Sequence, residues 1–351
     1  MATASYSPLD GAVEILANYG FELSNGNFNH APMVVEALCA MDRPEVVMPW
    51  IARYRERMLP RAAADKRIAR DDWRNALGQR DRFADWALFF ADELHDTDWP
   101  RVLDCWVAWL APGFAAAATH GIIRVGHAAR ALREAETAPR LRELGNALAS
   151  WAATYRELPS SDRTGNGTMP PYEAIRNIPM FAAENRRSQG NITSSLAMLD
   201  EFPEFGSVTG LIDLGGDIDR RLAELTELFA RVYLANAHDR LTAIVFIHGV
   251  TSLSALGNII PAVSETTART ALHFAWQAGC ALYACYGTGA AVAEDIAQDG
   301  ERKRILVDSA VAHGDEHVIK FTEACLRRNA LSPSPAYVAA VDSALSLLPP
   351  R

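Results

Sequence analysis

The chain has few cysteines, and no two of them have the CxxC spacing that is typical of a zinc site. Its 351 residues contain five cysteines, an odd number without a CxxC pair. This pattern argues against a disulfide framework or a zinc ribbon and favours reduced thiols in a cytoplasm. The early residues are too polar for a signal peptide, and no run reaches the roughly 18 apolar residues of a membrane span. We therefore expect a cytoplasmic protein with no membrane partner.

The chain also has a deficit of positive charge. It contains 34 Lys and Arg against 43 Asp and Glu, which gives a formal net charge of −9. Such a protein is not built to coat nucleic acid, so we expect no nucleic-acid partner. Hydrophobic residues make up 49% of the chain, enough for a large core, and no repeat divides it. We expect a single domain over residues 1–351.

Apolar residues recur at helical spacing along most of the chain, so the predicted fold class is all-α. The segment "APMVVEALCAM" follows Asn29, a suitable N-cap, and Pro32 is tolerated in the first turn. The stretch 140–158 has the pattern of another helix, with Pro139 as its start signal. Residues 159–191 break the pattern with proline, glycine and asparagine. A loop of that length is typical of a lid or a binding segment.

Three cationic or potentially cationic side chains share one stripe of a predicted alanine-rich helix. His120 and His127 are seven residues apart, and Arg124 lies four residues after His120. If this stripe faces inward, it makes an unusual core, whereas the alternative is an exposed stripe.

The segment "HGDEHVIKF" places His317 and Lys320 three residues apart on one helix face, and His313, four residues before His317, joins that face. Burial of a lysine lowers its pKa and favours the neutral amine. A neutral amine can act as a base, form a Schiff base, or react with carbon dioxide to give a carbamate, an anionic oxygen ligand for a metal. The alternative is that the head of Lys320 reaches water along an apolar stem.

Other histidines also stand in apolar surroundings. If Asn29 is the cap, His30 lies in the first helical turn, where the positive helix end keeps the ring neutral, as a metal ligand must be. His248 follows five nearly continuous apolar residues and needs a partner, because an unsatisfied polar group there costs about 1–3 kcal/mol. Histidines on several inward-facing helices indicate a metal site in a bundle core. Imidazole with oxygen suits iron, manganese or zinc.

Two motifs point to other folds. "FIHGVTS" is similar to the segment that feeds the oxyanion hole of α/β-hydrolases, but no GxSxG elbow follows it. The glycines Gly287 and Gly289, with Asp308 further on, can be read as a dinucleotide fingerprint between two strands. Val292 stands where the third glycine belongs.

Five segments together resemble the questin oxidase-like family, in the same order and over about residues 10 to 330. They are "NHAPMVVEAL" (29–38), "WIARYRERMLP" (50–60), "ATHGIIRVGHAARAL" (118–132), "FIHGVTSLSAL" (246–256) and "GDEHVIKFTEA" (314–324). The resemblance implies an all-helical oxygenase. Fungal relatives open the ring of anthraquinones, as Baeyer–Villiger-like, NADPH-using oxidases or, in one type, as a non-haem iron dioxygenase.

In the iron type, four histidines and a carbamylated lysine hold Fe(II). Carried over by motif, the resemblance implies Lys320 as the carbamate; the implied imidazole ligands are His30, His120, His248 and His317. The family pattern has a second histidine four residues after the first in the "THG" helix, where this chain has Arg124. His127, a turn later, either replaces a ligand or orients one.

We therefore expect an oxygenase that uses dioxygen on a polycyclic aromatic or quinone-type small molecule. His127 or His313 would transfer protons, and Arg124 would suit a phenolate or carboxylate of the substrate. One alternative keeps the fold without a metal, as an NADPH-assisted or cofactor-free monooxygenase with the histidines as acid and base groups. A second alternative is a helical protein that binds a pathway intermediate.

Overall fold

The computed structural model confirms the all-α prediction. The part of the chain that it describes forms fifteen α-helices, several short 3-10 turns and one two-stranded antiparallel sheet. The described residues are 6–161, 167–182, 191–288, 290–294, 296 and 303–351. One continuous apolar core includes residues from Phe21 to Leu348. The expectation of a single domain over 1–351 stays a prediction.

The helices follow one another along the chain with short connections. They are α1 (Leu9–Leu16), α2 (Ala31–Ala40), α3 (Pro44–Tyr54), α4 (Phe83–Asp96), α5 (Trp99–Leu110), α6 (His120–Glu134), α7 (Ala138–Ala153), α8 (Pro171–Ala174), α9 (Ile192–Ala197), α10 (Ile218–Asn236), α11 (Arg240–Ile259), α12 (Glu265–Tyr286), α13 (Lys303–His313), α14 (Glu316–Leu331) and α15 (Pro335–Leu347). The strands are β1 (Tyr19–Leu23) and β2 (Met58–Pro60).

Side-chain caps set where several of these helices begin. Asp239 and Thr242 form a reciprocal capping box at the start of α11. Asp315 accepts hydrogen bonds from the first N–H groups of α14. The start of α7 differs from the prediction of a helix over 140–158. Thr137 caps it, so α7 begins at Ala138 and ends at Ala153.

The small sheet fixes the approach of the chain to α2. Strand β1 pairs with β2, with Leu23 opposite Met58. The backbone N–H of Asn29 donates to the Phe21 carbonyl over 2.7 Å, and this hydrogen bond holds the segment before α2 against β1. His30, rather than Asn29, occupies the N-cap of α2, while the Asn29 side chain accepts from the N–H of Ala31.

Four helices enclose the interior of the protein as a closed ring. Helix α2 packs on α6, α6 on α11, α11 on α14, and α14 again on α2. This arrangement accounts for the nearly continuous apolar sequence of α11, which is buried on all sides. By length and composition, Arg240–Ala262 could cross a membrane, contrary to our expectation that no run is long enough, and 83% of its apolar window is buried in the protein.

The structure contradicts both motifs that suggested other folds. The "FIHGVTS" segment lies within α11, and not on a strand. The residues before Gly287 belong to helix α12, and Asp308 lies in helix α13, where the dinucleotide reading needs strands. Gly289 lies outside the described residues.

The predicted lid over 159–191 is partly described. It contains the short helix α8 and a 3-10 turn at Ile175–Asn177. Residues 162–166 and 183–190 lie outside the described part of the chain.

The expectation that His313 shares a helix face with His317 is wrong. His313 is the last residue of α13, and Gly314 after it has a φ of 76°, in the left-handed region. Asp315 then caps a new helix, α14. A glycine with positive φ ends one helix and lets the chain change direction before the next.

We predict that Gly126→Ala destabilises the protein, because α6 and α11 cross at this glycine. A Cβ atom there would lie 2.5 Å from the Ala255 carbonyl oxygen, so the helices must separate. Overpacking of this kind costs about 1–3 kcal/mol. Gly11→Ala, at an exposed position of helix α1 with no atom within 4 Å of the new Cβ, is the matched control and should stabilise by about 0.5–1 kcal/mol. Urea unfolding measures both, and equal stability of the two variants would contradict the close crossing.

Candidate metal centre

Four histidines from the four helices of the ring come together in the interior. His30 caps α2, His120 is the first residue of α6, His248 lies in the middle of α11, and His317 is the second residue of α14. All four are buried. We call these residues the imidazole cluster. They are the four histidines that the family resemblance implied as ligands.

The ring nitrogens of the imidazole cluster lie close to one another. His30 Nε2 is 2.9 Å from His120 Nε2, and His120 Nε2 is 3.3 Å from His248 Nε2. His30, His120 and His317 each offer a nitrogen within 4.8 Å of the other two. The ring centroids of His248 and His317 are 5.8 Å apart. These distances bring four potential ligand atoms around one small volume.

Backbone carbonyls orient two of the rings. Nδ1 of His120 donates to the Ala117 carbonyl, and Nδ1 of His248 donates to the Ile244 carbonyl over 2.6 Å. A proton on Nδ1 leaves the lone pair of Nε2 free, and in both rings Nε2 is the atom that faces the cluster. This is the usual way in which a protein selects the tautomer of a metal-binding histidine.

Burial favours the uncharged form of three rings of the imidazole cluster, those of His30, His120 and His248. It is the main cause that lowers the pKa of His30 well below its ordinary value, and the positive charge of Lys320 adds to it. Burial, followed by the nearby His248 ring, lowers the pKa of His120 in the same direction. Burial, followed by the His317 ring, does so for His248. Neutral imidazole is the form that coordinates a metal.

The donor set fits a single cation. Nitrogen ligands of a metal stand about 2.0–2.1 Å from it, so two of them are about 3.0 Å apart at a right angle and about 3.4 Å apart in a tetrahedron. The distances of 2.9 and 3.3 Å between Nε2 atoms match these values. In addition, the buried Nδ1 atom of His30 has no hydrogen-bond partner among the described residues, whereas Nδ1 of His317 lies 3.4 Å from an Asp315 oxygen.

Lys320 lies one turn after His317 on α14 and is almost fully buried, with 2% of its surface exposed. Burial lowers its pKa to about 8, against the opposing effect of Glu316 and Asp315. Its charge influences the pKa of His30, His120 and His248, so the amine lies near the imidazole cluster. The alternative that its head reaches water is wrong, since the side chain is buried.

A cavity of about 660 Å³ opens onto the imidazole cluster, and all four histidines belong to its wall. Phe28 lies in the same wall and stacks on His120, with ring centroids 4.8 Å apart. Ile192, Leu241 and Ile244 add apolar surface. The volume lies within the range of about 300–1,000 Å³ that is usual for small-molecule sites.

The three residues predicted as catalytic lie outside the wall of this cavity. Arg124 is buried and makes a bidentate ion pair with Glu143, over 2.7 and 2.9 Å, so the stripe of α6 faces inward. His127 Nδ1 is 2.6 Å from a Glu36 oxygen. His313 Nε2 donates to the Leu348 carbonyl over 2.9 Å. Their catalytic roles stay predictions, and each has a protein partner in place of a ligand.

Asp315 and Glu316 form a second group of possible metal donors together with His317. Arg351 already pairs with both carboxylates, over 2.9 and 3.1 Å, and Arg57 pairs with Glu316. Arginine side chains therefore already neutralise these carboxylates, so the group is an ion-pair cluster and a poor candidate for a cation site.

A layer of buried charges, absent from our sequence predictions, ties the four helices together. The Arg130 guanidinium of α6 pairs with Glu36 of α2, over 2.6 Å, and with Glu323 of α14. Arg327 bonds to Glu323 over 3.0 Å and to the Ser254 hydroxyl of α11 over 2.6 Å. We call this the charged layer; its members are Glu36, Arg130, Glu323 and Arg327.

On α2 and α14 the charged layer lies at the same distance from the imidazole cluster, whereas on α6 Arg130 follows His120 by ten residues. Glu36 follows His30 by six residues, and Glu323 follows His317 by six, which is about 9 Å along a helix. The only sequence signal for Glu36 is an acid inside the apolar run "APMVVEALCAM". An acid in such a run needs a buried partner, but the sequence alone does not say which one.

The profile of the questin oxidase-like family matches residues 28–325 of this chain. A search of curated proteins finds no match.

We predict that Glu36→Gln costs about 3–5 kcal/mol of unfolding free energy at neutral pH, because Arg130 then keeps a buried charge with a lost partner. Burial alone raises the pKa of Glu36, but the charge of Arg130 and hydrogen bonds from His127 and Arg130 outweigh it and hold the pKa well below 4.5. The carboxylate therefore stabilises the fold fully above pH 4.5, and this contribution falls as the pH drops further.

Urea unfolding at pH 7 and pH 3.5 measures this effect. The gap between wild type and Glu36→Gln should narrow at the lower pH. Glu14→Gln, at an exposed ion pair on α1, is the matched control and should change stability by less than about 1 kcal/mol. A constant gap at both pH values would contradict a lowered pKa of Glu36 in the folded state.

Proposed function

This chain belongs to the questin oxidase-like family, and on that premise we propose that it is a non-haem iron oxygenase acting on a polycyclic aromatic or quinone-type small molecule. The family name supports an oxidoreductase that works as an oxidase or oxygenase. The observation that carries the proposal of a metal is the convergence of uncharged ring nitrogens 2.9 and 3.3 Å apart. NADPH use and a cytoplasmic location stay predictions.

In this proposal the imidazole cluster holds the ion, and Lys320 supplies an oxygen ligand as its carbamate. When bound, the iron would supply the capacity to react with dioxygen. Imidazole and carboxylate-type oxygen without thiolate are ligands that suit iron. The ring of helices α2, α6, α11 and α14 orients the four histidines, and the carbonyls of Ala117 and Ile244 fix two of the rings.

The environment of Lys320 favours carbamate formation. The neutral amine attacks the carbon of carbon dioxide, a nitrogen–carbon bond forms, and one proton leaves to solvent. Burial, which lowers the pKa of this amine to about 8, raises the neutral fraction at physiological pH. The carbamate product carries an anionic oxygen that can bind a metal. The unmodified, protonated lysine would repel a metal at the same place.

The cavity supports an aromatic substrate. Beside the polar side chains of its wall, the cavity presents the ring of Phe28 and the aliphatic side chains of Ile192, Leu241 and Ile244. Arg240 is exposed at the start of α11 and also belongs to the wall. A planar apolar molecule with polar oxygens would match such a surface.

We predict that protein produced with added iron contains about one iron per chain, and that His248→Ala and His120→Ala each lose most of it. Removing one of a small number of ligands lowers metal affinity strongly, since the remaining ligands no longer complete the site. His95→Ala, an exposed histidine on α4, is the matched control and should keep its iron. Elemental analysis measures the content. Full dioxygen uptake by chelator-treated, iron-free protein would contradict the proposal and favour the metal-free alternative.

We predict a carbamate carbon signal in the ¹³C NMR spectrum of the protein supplied with ¹³C-bicarbonate, and its absence in Lys320→Ala. Burial of the amine is the reason that this lysine, and not an exposed one, reacts. Lys66→Ala, at an exposed lysine, is the control and should keep the signal. An unchanged signal in Lys320→Ala would assign the carbamate elsewhere.

A further inference from the structure

Three consecutive residues before α6 adopt a conformation that is rare for residues other than glycine. Ala117, Ala118 and Thr119 have φ angles of 47°, 55° and 68°, all in the left-handed region. We call them the left-handed turn. A left-handed conformation brings Cβ too close to the following carbonyl oxygen, so it persists only where the surrounding structure imposes it. Such strain is concentrated at functional sites.

The left-handed turn is attached directly to the imidazole cluster. His120 follows it, and the Ala117 carbonyl accepts the hydrogen bond that orients the His120 ring. The backbone N–H of His120 also donates to this carbonyl, over 3.3 Å, and the N–H of Thr119 donates to the Ala115 carbonyl. The turn therefore holds one face of the site, and its geometry is coupled to that of His120.

The N–H groups of Ala117 and Ala118 have no acceptor among the described residues, although both residues are at most 9% exposed. More than nine in ten buried backbone N–H groups in proteins have a partner. Two successive N–H groups without one are therefore unusual. The buried hydroxyl of Thr119 also has no partner among the described residues.

Both of these alanines belong to the wall of the 660 Å³ cavity. Successive backbone N–H groups in a turn can form a concave site that binds an oxygen atom carrying negative charge. A ligand in the cavity is a candidate acceptor, because the described residues supply none. Ala115 N–H also lacks an acceptor among the described residues, and Ala115 lies in the wall of a side chamber of about 220 Å³ that shares Ala117 with the cavity.

We propose that the N–H groups of Ala117 and Ala118 form a donor pair for a phenolate or quinone carbonyl oxygen of the molecule in the cavity. This inference rests on the proposed function for the aromatic class of the substrate. Only Thr119 separates the donor pair from His120. An oxygen held there therefore places the adjoining ring carbons beside the imidazole cluster. Backbone donors fixed by the fold need no reorganisation when charge grows on that oxygen.

The test removes one donor and leaves the side chain unchanged. Ala117→lactic acid, introduced by suppression of a nonsense codon, replaces the amide N–H of residue 117 by an ester oxygen. It keeps the methyl group and the Ala117 carbonyl that His120 needs. Ala116→lactic acid is the matched control, because the N–H of Ala116 already donates to the Gly113 carbonyl over 3.0 Å and Ala116 lies outside the wall of the main cavity.

The probe is 4-nitrophenolate at pH 8, whose absorption maximum shifts when its phenolate oxygen accepts hydrogen bonds. Nitrobenzene, which lacks the phenolate oxygen, is the control ligand. We expect Ala117→lactic acid to bind 4-nitrophenolate about tenfold more weakly than wild type, in line with the loss of one hydrogen bond to a charged acceptor. The shift in absorption should shrink as well. Nitrobenzene affinity should not change, and Ala116→lactic acid should bind both probes as wild type does.

Equal affinity and an equal spectral shift in wild type and Ala117→lactic acid would overturn the proposal and leave water as the acceptor of these N–H groups. Wild-type protein labelled with ¹⁵N-alanine gives a second test that needs no variant. The amide signals of Ala117 and Ala118 should move downfield with 4-nitrophenolate and stay in place with nitrobenzene; no movement with either probe would also overturn it. Iron content is measured separately, so failure of the donor pair is distinguishable from failure of the metal proposal.

Discussion

Buried ion pairs hold the four histidine-bearing helices in a fixed relation to one another. Arg130 of α6 joins Glu36 of α2 to Glu323 of α14, and Arg327 extends the layer to α11. Charges inside a protein are strongly destabilising unless they are paired, so each helix is constrained to present its charge to the others. The imidazole cluster stands about two turns away on the same helices. Its close approach depends on helices that cannot slide or separate.

Burial disfavours the charged form in both the charged layer and the imidazole cluster, but the outcome differs. In the charged layer, pairing outweighs desolvation and keeps Glu36 ionised. For His30, His120 and His248 of the imidazole cluster, desolvation prevails and lowers the pKa, and the Nε2 atoms of His30 and His120 face each other. The chain thus separates structural charge from uncharged donors within one helical ring. Arg124 is also a structural charge, because its ion pair with Glu143 neutralises it.

The all-α class predicted from the sequence is confirmed, and the four histidines named as candidate ligands lie close together. Their role as ligands stays a prediction. His248 stood out because it interrupts an apolar run, and Lys320 because it does so within a helical pattern. The same reasoning failed for His313, since the periodicity continued across Gly314 and did not register the positive φ that ends the helix there. It also missed Glu36 and the left-handed turn at Ala117, because a long-range partner and a backbone dihedral leave little trace in local composition.

Local physical chemistry in the sequence by itself determined the helical class and the set of imidazoles available for a buried site. Apolar periodicity and capping side chains depend on neighbours within a few residues, so the sequence displays them directly. The tertiary structure alone decided which of those imidazoles meet, which charges neutralise one another and which backbone N–H groups face no partner. Those outcomes depend on contacts between residues such as Glu36 and Arg130, which lie far apart in the chain and become neighbours only when the helices pack.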